Sequence, residues 1–366
     1  MTVGFYAPLP PAHTGVADYS CALLAELRRH GRVEIAPEQC DVALYHLGNN
    51  PLHAEIYRRA LAHPGVVTLH DAVLHHFLLG QLSAAEYVAE FVYNYGEWSR
   101  TLAQELWNRR AGSSGDARYF EYPMLKRAVE RARAVVVHNP AAARMARNAA
   151  PGARVVEIPH LWQESAPVSD WQTLRYRARL GIADTAFVFG VFGYLRESKR
   201  LHSVLEVFRE IRRQIPATVL LVAGEFVSEA FERSVAPLLD QPGVVRRPFL
   251  KESEFWVAAN MVDACINLRD PAAGETSGIV IRLMGLGKPV LVTDGEESSR
   301  FPEDVCIRIP AGPAERTSLL DHMILLPSRM DVARAIGSRG AAHIAAYHRV
   351  SRVGQQYWDL LCDTCM

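Results

Sequence analysis

Short apolar runs alternate along the chain with longer stretches of helical period. In the first half the runs fall at residues 3–7, 42–47, 66–69, 134–137 and 155–158, mostly apolar and, after the first, rich in Val, Leu and Ile. A strand with one wet face alternates apolar and polar residues. Runs apolar on both faces, bounded by turn residues, predict parallel strands covered by helices on both sides. Helical stretches at 19–29 and 51–62 separate them, and a long, mostly helical insertion at 75–131 carries Phe77, Tyr87, Phe91, Tyr93, Tyr95 and Trp98. The second half repeats the theme with strands at 187–192, 218–223, 244–246, 264–268, 290–293 and 305–309. Its helix 201–214 puts Leu201, Val204, Leu205, Phe208 and Ile211 on one face, the stripe of a helix docked on a sheet.

This pattern predicts an α/β protein of two Rossmann-like, doubly wound domains. The 366 residues suit two cores of ordinary size. The expected domains span 1–165 and 176–345, joined by a polar linker over 163–175 that holds Pro167, Ser169 and Asp170, and residues 346–366 form a closing helix, periodic over 348–361. Open parallel sheets bind ligands outside the carboxyl ends of their strands, so the loops that directly follow strands are where chemistry is sought.

Composition narrows the function. Forty acidic residues balance forty basic ones, with 49% hydrophobic and 22% charged residues, the profile of a globular protein without the basic excess of a nucleic-acid binder. No run reaches the ~18 apolar residues of a membrane helix, and the chain enters a strand at Val3-Gly4-Phe5-Tyr6 without a basic and then apolar leader. A cytoplasmic location is the expectation. Of the six cysteines, Cys265 and Cys306 sit in apolar runs and read as buried thiols, while the Cys362–Cys365 pair lacks the second ligand pair of a zinc site.

Four loops carry candidate chemistry. Pro8 to Tyr19, which includes His13, is stiffened by prolines and brings Gly15 to a helix start, where free N–H groups favour an anion; the alternative is a plain helix start capped by Thr14. His70-Asp71 ends the strand 66–69, where His can exchange a proton and Asp can orient it, or where His can merely cap the next helix. His75 and His76 follow without metal-ligand spacing. Gly193-Tyr194-Leu195-Arg196-Glu197-Ser198-Lys199-Arg200 closes a strand with glycine and sets cations before a helix, the combination that a diphosphate needs. Finally, 268–278 joins a buried strand to a helix at 279–286. In it Thr276 or Ser277 is the candidate cap, Gly278 permits close approach, and Glu275 stands among small residues, where a carboxylate can accept hydrogen bonds from hydroxyls.

Gly274-Glu275-Thr276-Ser277-Gly278 through Gly287-Lys288-Pro289-Val290-Leu291-Val292-Thr293-Asp294 resembles the donor-site segment of retaining glycosyltransferases of family 4, which have the GT-B fold. The loop 193–200 is similar to that family's diphosphate segment, 8–19 to its first loop and His70-Asp71 to its acceptor-domain His motif, in the same order over nearly the whole chain. The resemblance implies two Rossmann-like domains facing across a cleft, with the C-terminal helix closing back on the N-terminal one. It implies an acceptor-binding first domain and a donor-binding second one. Gly15 and Gly193 would face donor phosphates, with Tyr194 and Arg200 beside them. Lys199 would bind the diphosphate, His70 would lie near the transferred sugar and Glu275 would contact its hydroxyls. The amides of Thr276, Ser277, Gly278 and Ile279 would hold phosphate, and the peptide at Phe249-Leu250 would meet the nucleobase. Two positions depart from the family: Tyr194 stands where Arg is usual, and the second glutamate is missing, with Leu283 eight positions past Glu275 and Arg282 beside it. Arg282 is the candidate to replace the lost cation.

The implied activity is hexosyl transfer from a nucleotide-diphosphate sugar to a hydroxyl of a glycan, glycolipid or small acceptor, without metal or other cofactor. No Asp-x-Asp motif is evident. A membrane-linked acceptor would add peripheral contact at the inner membrane face. The aromatic insertion would serve the acceptor by stacking sugar rings, or simply be helix–helix core. Competing readings on the same scaffold are a sugar-nucleotide epimerase, a sugar phosphorylase, and a non-catalytic nucleotide-sugar-binding protein. A nicotinamide-dependent enzyme would need a G-x-G-x-x-G after a strand, which is missing here.

Overall fold

The computed structural model describes residues 1–12 and 14–365. These form two six-stranded sheets in which every pairing is parallel. The first contains β1 (Thr2–Tyr6), β2 (Arg32–Ile35), β3 (Val42–Leu47), β4 (Val66–Leu69), β5 (Ala134–Val137) and β6 (Val155–Glu157), in the order β2-β1-β3-β4-β5-β6. The second contains β7 (Phe187–Phe192), β8 (Thr218–Ala223), β9 (Val244–Arg247), β10 (Ala264–Asn267), β11 (Val290–Thr293) and β12 (Ile307–Ile309), in the order β12-β11-β10-β7-β8-β9. The central strands β3, β4, β5, β7, β8 and β10 are buried along their whole length, as their two-faced apolar runs require. The expected α/β class with two doubly wound sheets is what the chain adopts.

The chain divides into two compact units, one of Met1–Gln163, Pro271–Thr276 and Tyr347–Met366, the other of Glu164–Asp270 and Ser277–Ala346. The Glu275 loop thus follows a strand of the second unit yet packs with the first. The C-terminal helix Val350–Cys365 packs on the helix Gly15–His30 of its own unit, where Val353, Tyr357, Leu360 and Leu361 join Leu23, Leu24 and Leu27 in one buried cluster. The contact is close enough that a Cβ on Gly354 would stand 2.4 Å from Glu26 Cγ.

Part of the expected linker is instead a helix, Asp170–Arg179, started by a capping box between Ser169 and Gln172. Its buried Arg177 donates to Met261 O (3.0 Å) and Asp263 Oδ2 (3.1 Å), which ties it to the second unit. The aromatic insertion is largely core: Phe77, Tyr87 and Phe91 are buried, and His75 bonds the Tyr87 hydroxyl at 2.7 Å, whereas Trp98 is exposed. Cys265 and Cys306 are buried free thiols. Among the described residues no helix is long and apolar enough to cross a membrane.

Candidate functional site

Topology selects the loops. In each sheet the strand order reverses direction once, between β1 and β3 in the first and between β7 and β10 in the second. A crevice opens at the carboxyl ends of such a pair, because the two connections leave on opposite faces. In the second unit the segments so placed are 193–200 after β7 and 268–270 after β10.

They are held together by Asp270 N donating to Ser198 O (2.8 Å). Gly193 takes φ +83, and a Cβ there would lie 3.2 Å from Lys199 Nζ and 3.8 Å from Ile279 Cγ1. Gly193, Lys199 and the start of the helix Gly278–Gly285 therefore converge. Lys199 Nζ donates to Phe192 O (2.9 Å), which draws the ammonium back over the strand end. Neither Thr276 nor Ser277 caps the helix: Ser277 is the N-cap residue but makes no side-chain cap bond, and the Thr276 hydroxyl accepts from Asn139 Nδ2 (2.9 Å).

The other predicted cations have partners of their own. Arg200, in the left-handed region at φ +57, forms a two-pronged pair with Glu315, Nε to Oε2 at 2.9 Å and Nη2 to Oε1 at 3.0 Å, and Glu315 is only 2% exposed. Arg282 donates to Glu252 Oε2 (3.1 Å) and lies 5.3 Å from the ring centroids of Phe255 and Trp256. Arg269, passed over in the sequence, directly follows the β10 run; its backbone N–H donates to Thr293 Oγ1 (2.8 Å). Burial pushes the Cys265 thiol up to about 12, while Lys199 and Arg269 pull it the other way. Tyr194 is exposed, Leu250 is buried and Phe249 beside it is exposed.

In the first unit, Thr14 caps the helix Gly15–His30 by accepting from Ala17 N (3.1 Å), the plainer of the two roles considered for this loop. A Cβ on Gly15 would meet nothing within 4 Å. His13 lies outside the described residues.

His70 closes β4 inside a group of rings delivered by separate strands: His46 within β3, His138 after β5 and His160 after β6, all around Tyr19. The Tyr19 ring centroid is 4.8 Å from those of His70 and His160 and 5.3 Å from that of His138. His46 Nδ1 and His70 Nε2 share a hydrogen bond of 2.9 Å. Burial, followed by the neighbouring imidazoles, holds His70 well below the usual histidine range; His46 is lowered to about 3, and His138, by burial alone, to about 4. The expectation that Asp71 orients His70 is corrected: Asp71 Oδ2 accepts from Asn49 N (2.7 Å), and the partner on the His70 ring is His46. Successive residues leaving a strand point to opposite sides, which separates the pair.

The Glu275 loop docks against the His70 loop. Ala72 N donates to Ala273 O (2.9 Å), and Asn139 Nδ2 donates to Gly274 O (2.9 Å) while its Oδ1 accepts from Ala142 N (2.9 Å). Gly274 is required here: φ is +67, and a Cβ would fall 2.7 Å from Ala72 Cβ and 3.1 Å from Met145 Sδ. Glu275 Oε2 accepts from Ala273 N (2.8 Å). His70 and Glu275 are thereby brought into one unit, with Asn139 as the clamp. Asn139 stands two residues past the end of β5, which is the signal that could have drawn attention to it. Among the described residues no group of His, Cys, Asp or Glu is arranged to hold a metal ion.

No protein-family model and no curated protein matches the sequence. Solved structures match the fold over nearly the whole chain. HepE of Anabaena, solved in complex with UDP-glucose, is 14% identical with a TM-score of 0.65 over 99% of this chain and 100% of that one. Sucrose-phosphate synthase from Thermosynechococcus elongatus is 15% identical with a TM-score of 0.68 over 99% and 98%. WaaG, a glycosyltransferase involved in lipopolysaccharide biosynthesis, is 15% identical with a TM-score of 0.63 over 98% and 99%. The architecture is the GT-B fold.

Proposed function

We propose that this chain is a retaining, metal-independent glycosyltransferase that moves a hexose from a nucleotide-diphosphate sugar to an acceptor hydroxyl in the synthesis of a glycan, glycolipid or polysaccharide. The observation that carries the reading is the convergence of Gly193, Lys199 and the start of the helix Gly278–Gly285 at the switch point of the second sheet. A strand-ending glycine without a Cβ, an ammonium beside it and a helix start without a side-chain cap suit a doubly charged leaving group. The solved structures of this fold named above include one that holds UDP-glucose, which makes a uridine donor the first to test.

The chemistry asks little of a protein nucleophile. The bond from the anomeric carbon to the diphosphate breaks, the acceptor oxygen forms its bond on the same face, and the acceptor proton passes to the departing phosphate. The barrier is charge separation, and groups fixed in advance around the leaving anion lower it. In this reading Lys199 and the amides of Gly278 and Ile279 stabilise the diphosphate, while Glu275 and His70 read the sugar.

Titration calorimetry with UDP and UDP-glucose tests it. Wild type is expected to bind both, and Lys199→Ala to bind each roughly 10–100-fold more weakly, the loss of a charge-assisted contact. Glu275→Ala should weaken UDP-glucose much more than UDP. Absence of binding to either ligand by a folded wild-type protein would overturn the uridine assignment, and absence across guanosine, adenosine and thymidine donors as well would overturn the transferase reading.

A further inference from the structure

We propose that His46 is a positioning residue that fixes His70 as its Nδ1–H tautomer, so that His70 meets its ligand as a neutral hydrogen-bond donor and not as a base. The 2.9 Å bond between His46 Nδ1 and His70 Nε2 holds one hydrogen, and either ring can supply it. If His70 supplied it, the hydrogen of His46 would sit on Nε2, which is buried without a partner among the described residues. A buried N–H without an acceptor bears its full desolvation penalty, and such orphans are rarer than bare acceptors. If His46 supplies it, its Nε2 is only a bare lone pair. His46 is therefore the donor, His70 Nε2 the acceptor, and the hydrogen of His70 belongs on Nδ1.

The surrounding rings follow the same rule. Nδ1 of His53, His138 and His160 lies 2.9 Å from the carbonyl oxygens of His46, Ile158 and Leu161, and a carbonyl only accepts. Each of those rings spends its Nδ1–H on the backbone. His70 spends its Nε2 lone pair instead. Its Nδ1 is not among the sealed, unsatisfied atoms, and the ring keeps 8% of its surface open. Burial first, and then the neighbouring imidazoles, favour the neutral ring. The ligand atom that this site accepts is an oxygen with a free lone pair. That this oxygen belongs to a donor sugar rests on the function proposed above; the tautomer does not.

The test is a nitrogen–hydrogen correlation spectrum of the histidine rings in the ¹⁵N-labelled full-length protein at neutral pH, with His70→Phe used to assign the signals. His70 is expected to show a protonated Nδ1 and a bare Nε2. His46→Asn, whose amide N–H replaces the donor, should preserve that pattern, and His46→Leu should move the hydrogen of His70 to Nε2 or mix the two forms. A wild-type His70 protonated on Nε2 or on both nitrogens would overturn the proposal, as would an unchanged pattern in folded His46→Leu. Should His46→Leu fail to fold, the wild-type and His46→Asn spectra decide. Addition of UDP-glucose then separates the two ideas: a shift at His70 Nδ1 supports the nucleotide-sugar reading, and no shift counts against that reading while the tautomer stands.

Discussion

Asn139 joins two tasks that substitution can separate. Its Oδ1 caps the helix Pro140–Ala149, and its Nδ2 holds the Glu275 loop through Gly274 O and Thr276 Oγ1. The side chain is 2% exposed, so water cannot replace what is lost. Asn139→Ala removes both tasks: about 1 kcal/mol for the cap and about 1–3 kcal/mol for the orphaned loop groups. Asn139→Asp keeps the capping oxygen and turns the donor into a second oxygen facing the Gly274 carbonyl. The Thr276 hydroxyl can rotate to donate to it, but the carbonyl cannot. Burial raises the pKa of the introduced carboxyl above its unfolded value of about 3.9, and its protonated form can again donate to Gly274 O. The stability of Asn139→Asp relative to wild type should therefore be recovered at acid pH and lost as pH rises through that raised value.

The Ala72 amide reports the loop directly, because it donates to Ala273 O and is protected while the loop is docked. Its hydrogen exchange should accelerate in Asn139→Asp at neutral pH, roughly 30-fold for about 2 kcal/mol of easier opening. Urea unfolding should show a smaller global loss than in Asn139→Ala. Unchanged Ala72 protection in both variants, with only the helix Pro140–Ala149 weakened, would reduce Asn139 to a cap and refute the clamp.

Arg200→Ala should leave the buried Glu315 unpaired; because the Arg200 side chain is itself 36% exposed, screening discounts the usual buried-pair cost to about 2 kcal/mol. Urea midpoints of Arg200→Ala, and their recovery in Arg200→Ala combined with Glu315→Gln, check this. Acid should destabilise the first unit through its histidines. His46, His53 and His138 have folded pKa values of about 3, 4 and 4, lowered mainly by burial from an ordinary 6.5. The unfolded chain thus binds more protons between those limits, and stability present above about pH 6.5 is lost as pH falls toward 4, by up to about 1.4 kcal/mol per pH unit for each ring. Urea midpoints that do not move between pH 8 and pH 5 would contradict the burial of these rings.

Where the sequence was legible, one physical signal dominated. Central strands buried on both faces wrote themselves as continuous apolar runs. The edge strand β2, Arg32-Val33-Glu34-Ile35, is exposed at Arg32 and Ile35 and left no such run. The helix Asp170–Arg179 was hidden by Pro167 and a polar composition, although its Ser-x-x-Gln capping box was in view. At the site, Gly193 and Lys199 stand in one loop that follows a strand, where strand-end logic looked, whereas Ile279 was singled out only by the family resemblance. The histidine group was not legible, because register assembles it: β3 and β4 pair His46 with Thr68, which sets His70 two residues beyond the partner of His46 at the carboxyl end of the strands. No local pattern announces that Asn139 will reach Gly274 or that Arg200 will find Glu315.

Tyr194 stands where the family that the sequence resembles carries a cation, and that position can be reconsidered from the sheet outward. Arg200 and Arg282, both nominated from sequence, have guanidinium contacts with Glu315 and Glu252. A glycine that ends one strand can also receive charge from the loop of the adjacent strand, and β10 is the neighbour of β7. Arg269 follows that neighbour's run, and its loop is tied to Ser198 through Asp270 N. If the diphosphate binds where the proposed function puts it, Arg269→Ala should weaken UDP by roughly 10-fold or more, the value of one hydrogen bond to a charged group. Arg282→Ala should leave UDP affinity unchanged. Calorimetry on the two variants decides between them: a loss confined to Arg282→Ala would return the second cation to the helix Gly278–Gly285 and break the argument from strand adjacency.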